Sequence, residues 1–120
     1  MVTTAPALNR PELRRYLERI SDRWPIDVAL LGGARVDDER GAPEQRERGP
    51  EFIVVLVSDA YAGLPWLERV YVAGSLWDGY EMGERAEVHC YTHNEYARRR
   101  ASMPIVRHIA RDGLDLTELP

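Results

Sequence analysis

Acids and an imidazole beside short apolar runs are the residues of this chain best suited to chemistry. Glu87 and His89 stand two apart in the alternating stretch Ala86-Glu87-Val88-His89-Cys90-Tyr91. Residues i and i+2 of a strand point to the same face, so this carboxylate and imidazole share one. Glu51 opens another run, Glu51-Phe52-Ile53-Val54-Val55-Leu56-Val57. Carboxylates suit hard ions such as Mg²⁺, whereas an imidazole shifts the preference toward Mn²⁺ or Zn²⁺. The plainer reading is that Glu87 and His89 form a surface pair and that Glu51 ends a loop. Ser58, Ser75 and Ser102 have no sequence context for activation, so no hydrolase nucleophile emerges. Cys90 alternates away from Glu87 and His89 and reads as a small buried hydrophobe. A single cysteine forms neither an internal disulfide nor a cysteine zinc site.

Composition narrows the function classes. With 120 residues, 44% hydrophobic and 30% charged, the chain fits one domain (1–120) around one core. No apolar run approaches the roughly 18–20 residues of a membrane span. The N-terminus lacks a basic region followed by a long apolar stretch, so the expectation is a cytoplasmic protein with no membrane partner. The net charge of −4 disfavours duplex DNA, which needs a basic face. All 16 basic residues are arginine, and three of them are consecutive, Arg98-Arg99-Arg100. Such a run can grip phosphate or RNA, although a solvated helix face is the plainer account. Trp66, Trp77 and Tyr80 divide in the same way between a partner-binding patch and core packing.

The elements that must position these residues follow from periodicity and punctuation. Leu13, Leu17, Ile20 and Trp24 recur on one face of an amphipathic helix over residues 10–24, capped by Asn9 and stopped by Pro25. Residues 26–31 form a buried strand ending in the Gly32-Gly33 turn. Residues 34–50 are charged and broken by Gly and Pro, and predict a long exposed loop that carries Asp37, Asp38 and Glu39. Residues 51–57 form a strand buried on both faces, and 66–77 a helix that contains Gly74-Ser75. A loop over 78–83 precedes the strand 86–91. Thr92 and Glu95 make a capping box that opens a helix to about Ser102. Pro104 separates it from a shorter helix ending at Asp112-Gly113, and Leu114, Leu116 and Leu119 add a short tail element. The fold class is α/β, with a small mixed sheet of three or four strands flanked by helices.

The order helix, strand, glycine turn, strand, helix, strand, helix resembles the minimal nucleotidyltransferases of the DNA polymerase beta superfamily. The likeness runs from about Arg10 to Leu116. It rests on Leu30-Leu31-Gly32-Gly33-Ala34-Arg35, on the strands 51–57 and 86–91, and on the helices from Thr92 onward. It implies a nucleotidyltransferase-like fold that transfers an NMP group with Mg²⁺ or Mn²⁺. Two ions about 4 Å apart would activate the acceptor and stabilise the leaving pyrophosphate. Gly32, Gly33 and Arg35 would bind the nucleoside triphosphate, and Glu51 and Glu87 would be the catalytic, metal-binding acids. The resemblance also brings the toxin–antitoxin setting, in which members of this size pair with a small helical protein.

The chain departs from that pattern at one carboxylate. The second acid of the pair falls on Ile53, which binds no metal, and the serine of the usual glycine-serine turn is replaced by Gly33. Residues 34–50 also make an unusually long connection. Three functions compete. The first is a nucleotide- or partner-binding domain with weak or no transfer activity. The second is an active enzyme with a rearranged metal site of Glu51, Glu87 and His89. The third is a pure interaction domain.

Overall fold

A computed structural model describes residues 7–41 and 49–119. Of the segment 34–50 expected as loop, residues 42–48 therefore lie outside the described residues. Helix α1 (Arg10–Ser21) starts where Asn9 accepts the backbone N–H of Glu12 at 3.2 Å. Leu13, Tyr16 and Ile20 bury its inner face. It ends three residues earlier than its periodicity suggests. Residues before a proline are pushed out of the helical region, so Pro25 acts upstream of itself. Trp24 still packs, edge-on against Tyr61 with ring centroids 4.8 Å apart.

Strand β1 (Val28–Gly32) leads directly into α2 (Ala34–Glu39), the main correction to the sequence reading. The acids Asp37, Asp38 and Glu39 lie on this short helix rather than on an open loop. Ala34 and Val36 are buried beneath it, and Glu39 pairs with Arg10. Strand β2 (Phe52–Val57) is buried at every position, as its apolar run predicts. A 3-10 turn (Asp59–Tyr61) follows, then α3 (Trp66–Ser75). The expected 78–83 loop contains a single helical turn, α4 (Gly79–Met82), because Asp78 accepts the N–H of Glu81 at 3.0 Å. Strand β3 (Ala86–Tyr91), α5 (His93–Ser102) and α6 (Pro104–Asp112) come next. Two-residue β4 (Leu114–Asp115) and a 3-10 turn (Leu116–Glu118) complete the order.

The sheet order is β3-β2-β1-β4, with β2 and β3 parallel and the other pairs antiparallel. Its two faces bury different helices. Ala29, Leu31, Phe52, Val54, Leu56 and Cys90 pack against α1, α3 and Trp77. Leu30, Ile53, Val55, Val57 and Tyr91 pack against Tyr96 of α5 and Val106 and Ile109 of α6. Alternation along β3 therefore puts Glu87, His89 and Tyr91 on the α5–α6 face and Cys90 on the other. No helix among the described residues is long and apolar enough to cross a membrane.

Candidate functional site

The expected site lies where the start of β2 meets the start of β3. In register, Ile53 stands between Gly32 of β1 and Glu87 of β3. Glu51, two residues before Ile53, opens with Glu87 onto one shallow cleft that Pro50, Glu84, Arg85 and Ala86 also line. The sequence reading thus placed its two acids on a common surface. The position between them is closed, because Ile53 is only 3% exposed and packs in the same cluster as Ile109 of α6.

The glycine turn has structural reasons of its own. A Cβ at Gly32 would lie 2.4 Å from Cγ1 of Ile109, so α6 crosses β1 there at backbone distance. Gly33 has φ of 106°, in the left-handed region that favours glycine, and a Cβ would lie 2.5 Å from the carbonyl oxygen of Glu51. The first N–H groups of α2 are already used. Ala34 donates to the carbonyl of Pro50 at 2.9 Å and Arg35 to that of Glu51 at 3.1 Å. These bonds tie the turn to the entry of β2.

Each acid has a basic partner. Arg35 donates from Nε to Glu51 at 3.2 Å and lays its guanidinium over the Phe52 ring at 5.0 Å. Glu87 accepts from His89 Nε2 at 2.8 Å, and His89 Nδ1 lies 2.7 Å from the Tyr91 hydroxyl. A carboxylate only accepts, so Nε2 carries the hydrogen, and in the neutral ring Nδ1 accepts from Tyr91. Glu87, His89 and Tyr91 thus form one hydrogen-bonded row along β3. Burial holds the Tyr91 phenol above its ordinary pKa, with nearby Arg99 pulling the other way. Tyr91 went unnoticed in the sequence, although the same two-residue alternation that pairs Glu87 with His89 reaches it.

Glu51, Glu87 and His89 are not gathered around one point. Among the described residues, no group of three or more His, Cys, Asp or Glu side chains is placed to hold a metal ion. The α2 acids also face elsewhere, Asp37 toward His108 at 3.2 Å and Glu39 toward Arg10. Gly74 and Ser75 lie within α3, where the Ser75 hydroxyl donates to the carbonyl of Val72 at 2.8 Å. Cys90 is buried, and burial pushes its thiol up to about 11, which leaves it an unreactive packing residue.

A second cleft, about 460 Å³, opens at the far end of β3 between α3 and α5. Trp66, Tyr91, Glu95, Arg98, Arg99 and Ser102 line it. The three aromatic residues of the sequence reading separate here. Trp77 is core, edge-on to Tyr16 at 5.1 Å and donating to the Glu84 carbonyl at 2.9 Å. Trp66 is 42% exposed and Tyr80 95% exposed.

No family model matches this chain, and no curated protein matches it in sequence. Among solved structures it is similar to a "putative nucleotidyltransferase" from Sulfolobus solfataricus. The TM-score is 0.53 with 11% sequence identity, over 88% of this chain and 77% of that one. At that identity the likeness concerns the fold, a nucleotidyltransferase-like α/β arrangement.

Proposed function

We propose that this chain is a nucleotidyltransferase-like domain that binds a nucleotide or protein partner and does not perform two-metal transfer. The carrying observation is Ile53. It stands where the second bridging acid is needed, buried under α6 and in register with Gly32 and Glu87. The donor set does not fit a pair of Mg²⁺ or Mn²⁺ ions. Glu51 is held by a guanidinium, Glu87 by an imidazole, and an aliphatic side chain lies between them. Nucleotide binding at this end would fall to Arg35, which would have to exchange Glu51 for a phosphate. A protein partner is supported by the exposed Leu67, Tyr71 and Tyr80, large apolar side chains left open to solvent. A regulatory role of the toxin–antitoxin type, with a small helical partner, belongs to this same reading.

The test is transfer of label from an α-phosphate-labelled NTP, with Mg²⁺ or Mn²⁺, onto the chain or onto a co-purified partner. The expected result is no incorporation above background. Metal-dependent labelling that Glu87→Gln abolishes would overturn the proposal. It would favour the active, rearranged site, for which the shared cleft of Glu51 and Glu87 is the supporting observation.

A further inference from the structure

We infer that the cleft between α3 and α5 binds a phosphate-bearing planar base, that is, a nucleotide unit either free or at the end of a single-stranded RNA. Its lining shares no residue with the Glu51–Glu87 cleft, although His89 and Tyr91 behind it belong to the row that ends at Glu87, and it does not depend on the reading above.

One wall is aromatic. Trp66 opens α3 with 42% of its surface exposed, and its ring is tilted 33° to that of Tyr91 at a centroid distance of 5.5 Å. His89 approaches the Trp66 ring edge-on at 6.4 Å. Tyr91 is fixed at its hydroxyl by His89 and stacked at its ring on Tyr96 at 6.4 Å. Trp66 is thus supported by rigid rings while part of its surface faces solvent. Every base has a π-face, so such a platform accepts bases with little sequence preference.

The opposite wall is cationic. Arg98 and Arg99 line the cleft from the last turns of α5, and among the described residues neither side chain makes an ion pair or hydrogen bond. The other basic groups nearby are engaged. Arg100 lies over the Tyr96 ring at 4.7 Å, and Arg107 donates to the carbonyls of Arg100 and Ala101 at 3.4 and 3.3 Å. Glu95 is the acid in the lining. It is neutralised by buried Arg69 at 2.7 Å and accepts the N–H of Thr92 at 2.8 Å. Two positive charges are therefore left without a counter-charge in a chain of net charge −4. The helix dipole favours arginine in a last turn. It does not account for an open indole across from that arginine, in a cleft of ligand size. Guanidinium groups hold phosphate oxygens in a bidentate way, so the two walls together select a base joined to a phosphate.

The test is isothermal titration of the full chain with 5′-AMP, adenosine, inorganic phosphate and the trinucleotide pApApA. AMP is expected to bind about tenfold or more tightly than adenosine or phosphate alone. Binding equal for AMP and pApApA identifies a free nucleotide, and tighter trinucleotide binding identifies an RNA end. The double variant Arg98→Gln/Arg99→Gln, which alters only exposed side chains, is expected to weaken AMP about tenfold or more with an unchanged melting curve. Trp66→Leu is expected to weaken it comparably. Absence of AMP and trinucleotide binding overturns the inference. So does binding that survives the arginine double variant, or binding lost in Glu51→Gln instead. Loss on removing the arginines with full retention in Trp66→Leu also overturns it, since that describes an anion site without a base.

Discussion

The proposed function turns on one side chain, the buried Ile53 in register with Glu87. That an aliphatic residue follows Glu51 by two was legible in the sequence. What the sequence did not carry was the cover over it. That depends on Ile109, more than fifty residues later, being seated on Gly32 at backbone distance. The same seating accounts for glycine in a turn that the family resemblance would assign to a triphosphate. Ile53→Asp is accordingly expected to cost about 3–5 kcal/mol in urea denaturation, from lost packing and a buried charge. Calorimetric titration with Mn²⁺ should show no gain in affinity over the parent chain. An increase in affinity would mean that α6 lifts away from β2. For His89 the sequence carried only half of the arrangement. Its alternation with Glu87 is plain, but its second nitrogen is committed to Tyr91, and that pairing follows from side-chain geometry along β3.

At the scale of elements, the strands and the major helices follow from apolar runs, caps and prolines. The Thr92–Glu95 capping box is one example, present as both reciprocal hydrogen bonds. The misreadings have a common physical cause. Residues 34–39 look like loop because three acids dominate the window, yet α2 is held by tertiary contacts. Ala34 and Val36 are buried, two of its N–H groups bond to the entry of β2, and Glu39 pairs with Arg10. A six-residue helix has little stability of its own, so such support decides its existence. Glu95 illustrates how an element end also carries pH dependence. The Arg69 guanidinium, chiefly, and the Thr92 N–H hold its carboxyl below the usual glutamate value. A depressed folded pKa adds stability that is present above the unfolded pKa and lost as pH falls through the folded one. Glu95→Gln should therefore lower Tm by about 3–6 °C at pH 7. The gap from the parent should shrink as pH falls below the ordinary glutamate value of 4.5. A constant gap from pH 7 down to acid unfolding would show that the ion pair contributes nothing.

For the whole molecule, the comparison with a solved structure and the mixed four-stranded sheet agree on architecture, while the two clefts lie at opposite ends of β3. The tail was expected only as a short element of Leu114, Leu116 and Leu119. It proves to supply the β4 strand and a core residue, since Leu116 is buried against both α1 and the sheet. Leu116→Ala is expected to cost about 2–5 kcal/mol by leaving a cavity there. The pairing of Leu31 with Leu114 joins segments roughly 80 residues apart, so closing that loop is entropically unfavourable until the intervening core exists. The last strand should therefore dock after the folding barrier is crossed. In stopped-flow measurements, the destabilisation by Leu116→Ala should appear almost wholly as faster unfolding, with the refolding rate little changed. A slowed refolding rate would place the tail in the nucleus instead. On this account the edge of β1 stays unpaired through most of folding, and the chain is most open to strand-to-strand aggregation in the interval before its C-terminal segment arrives.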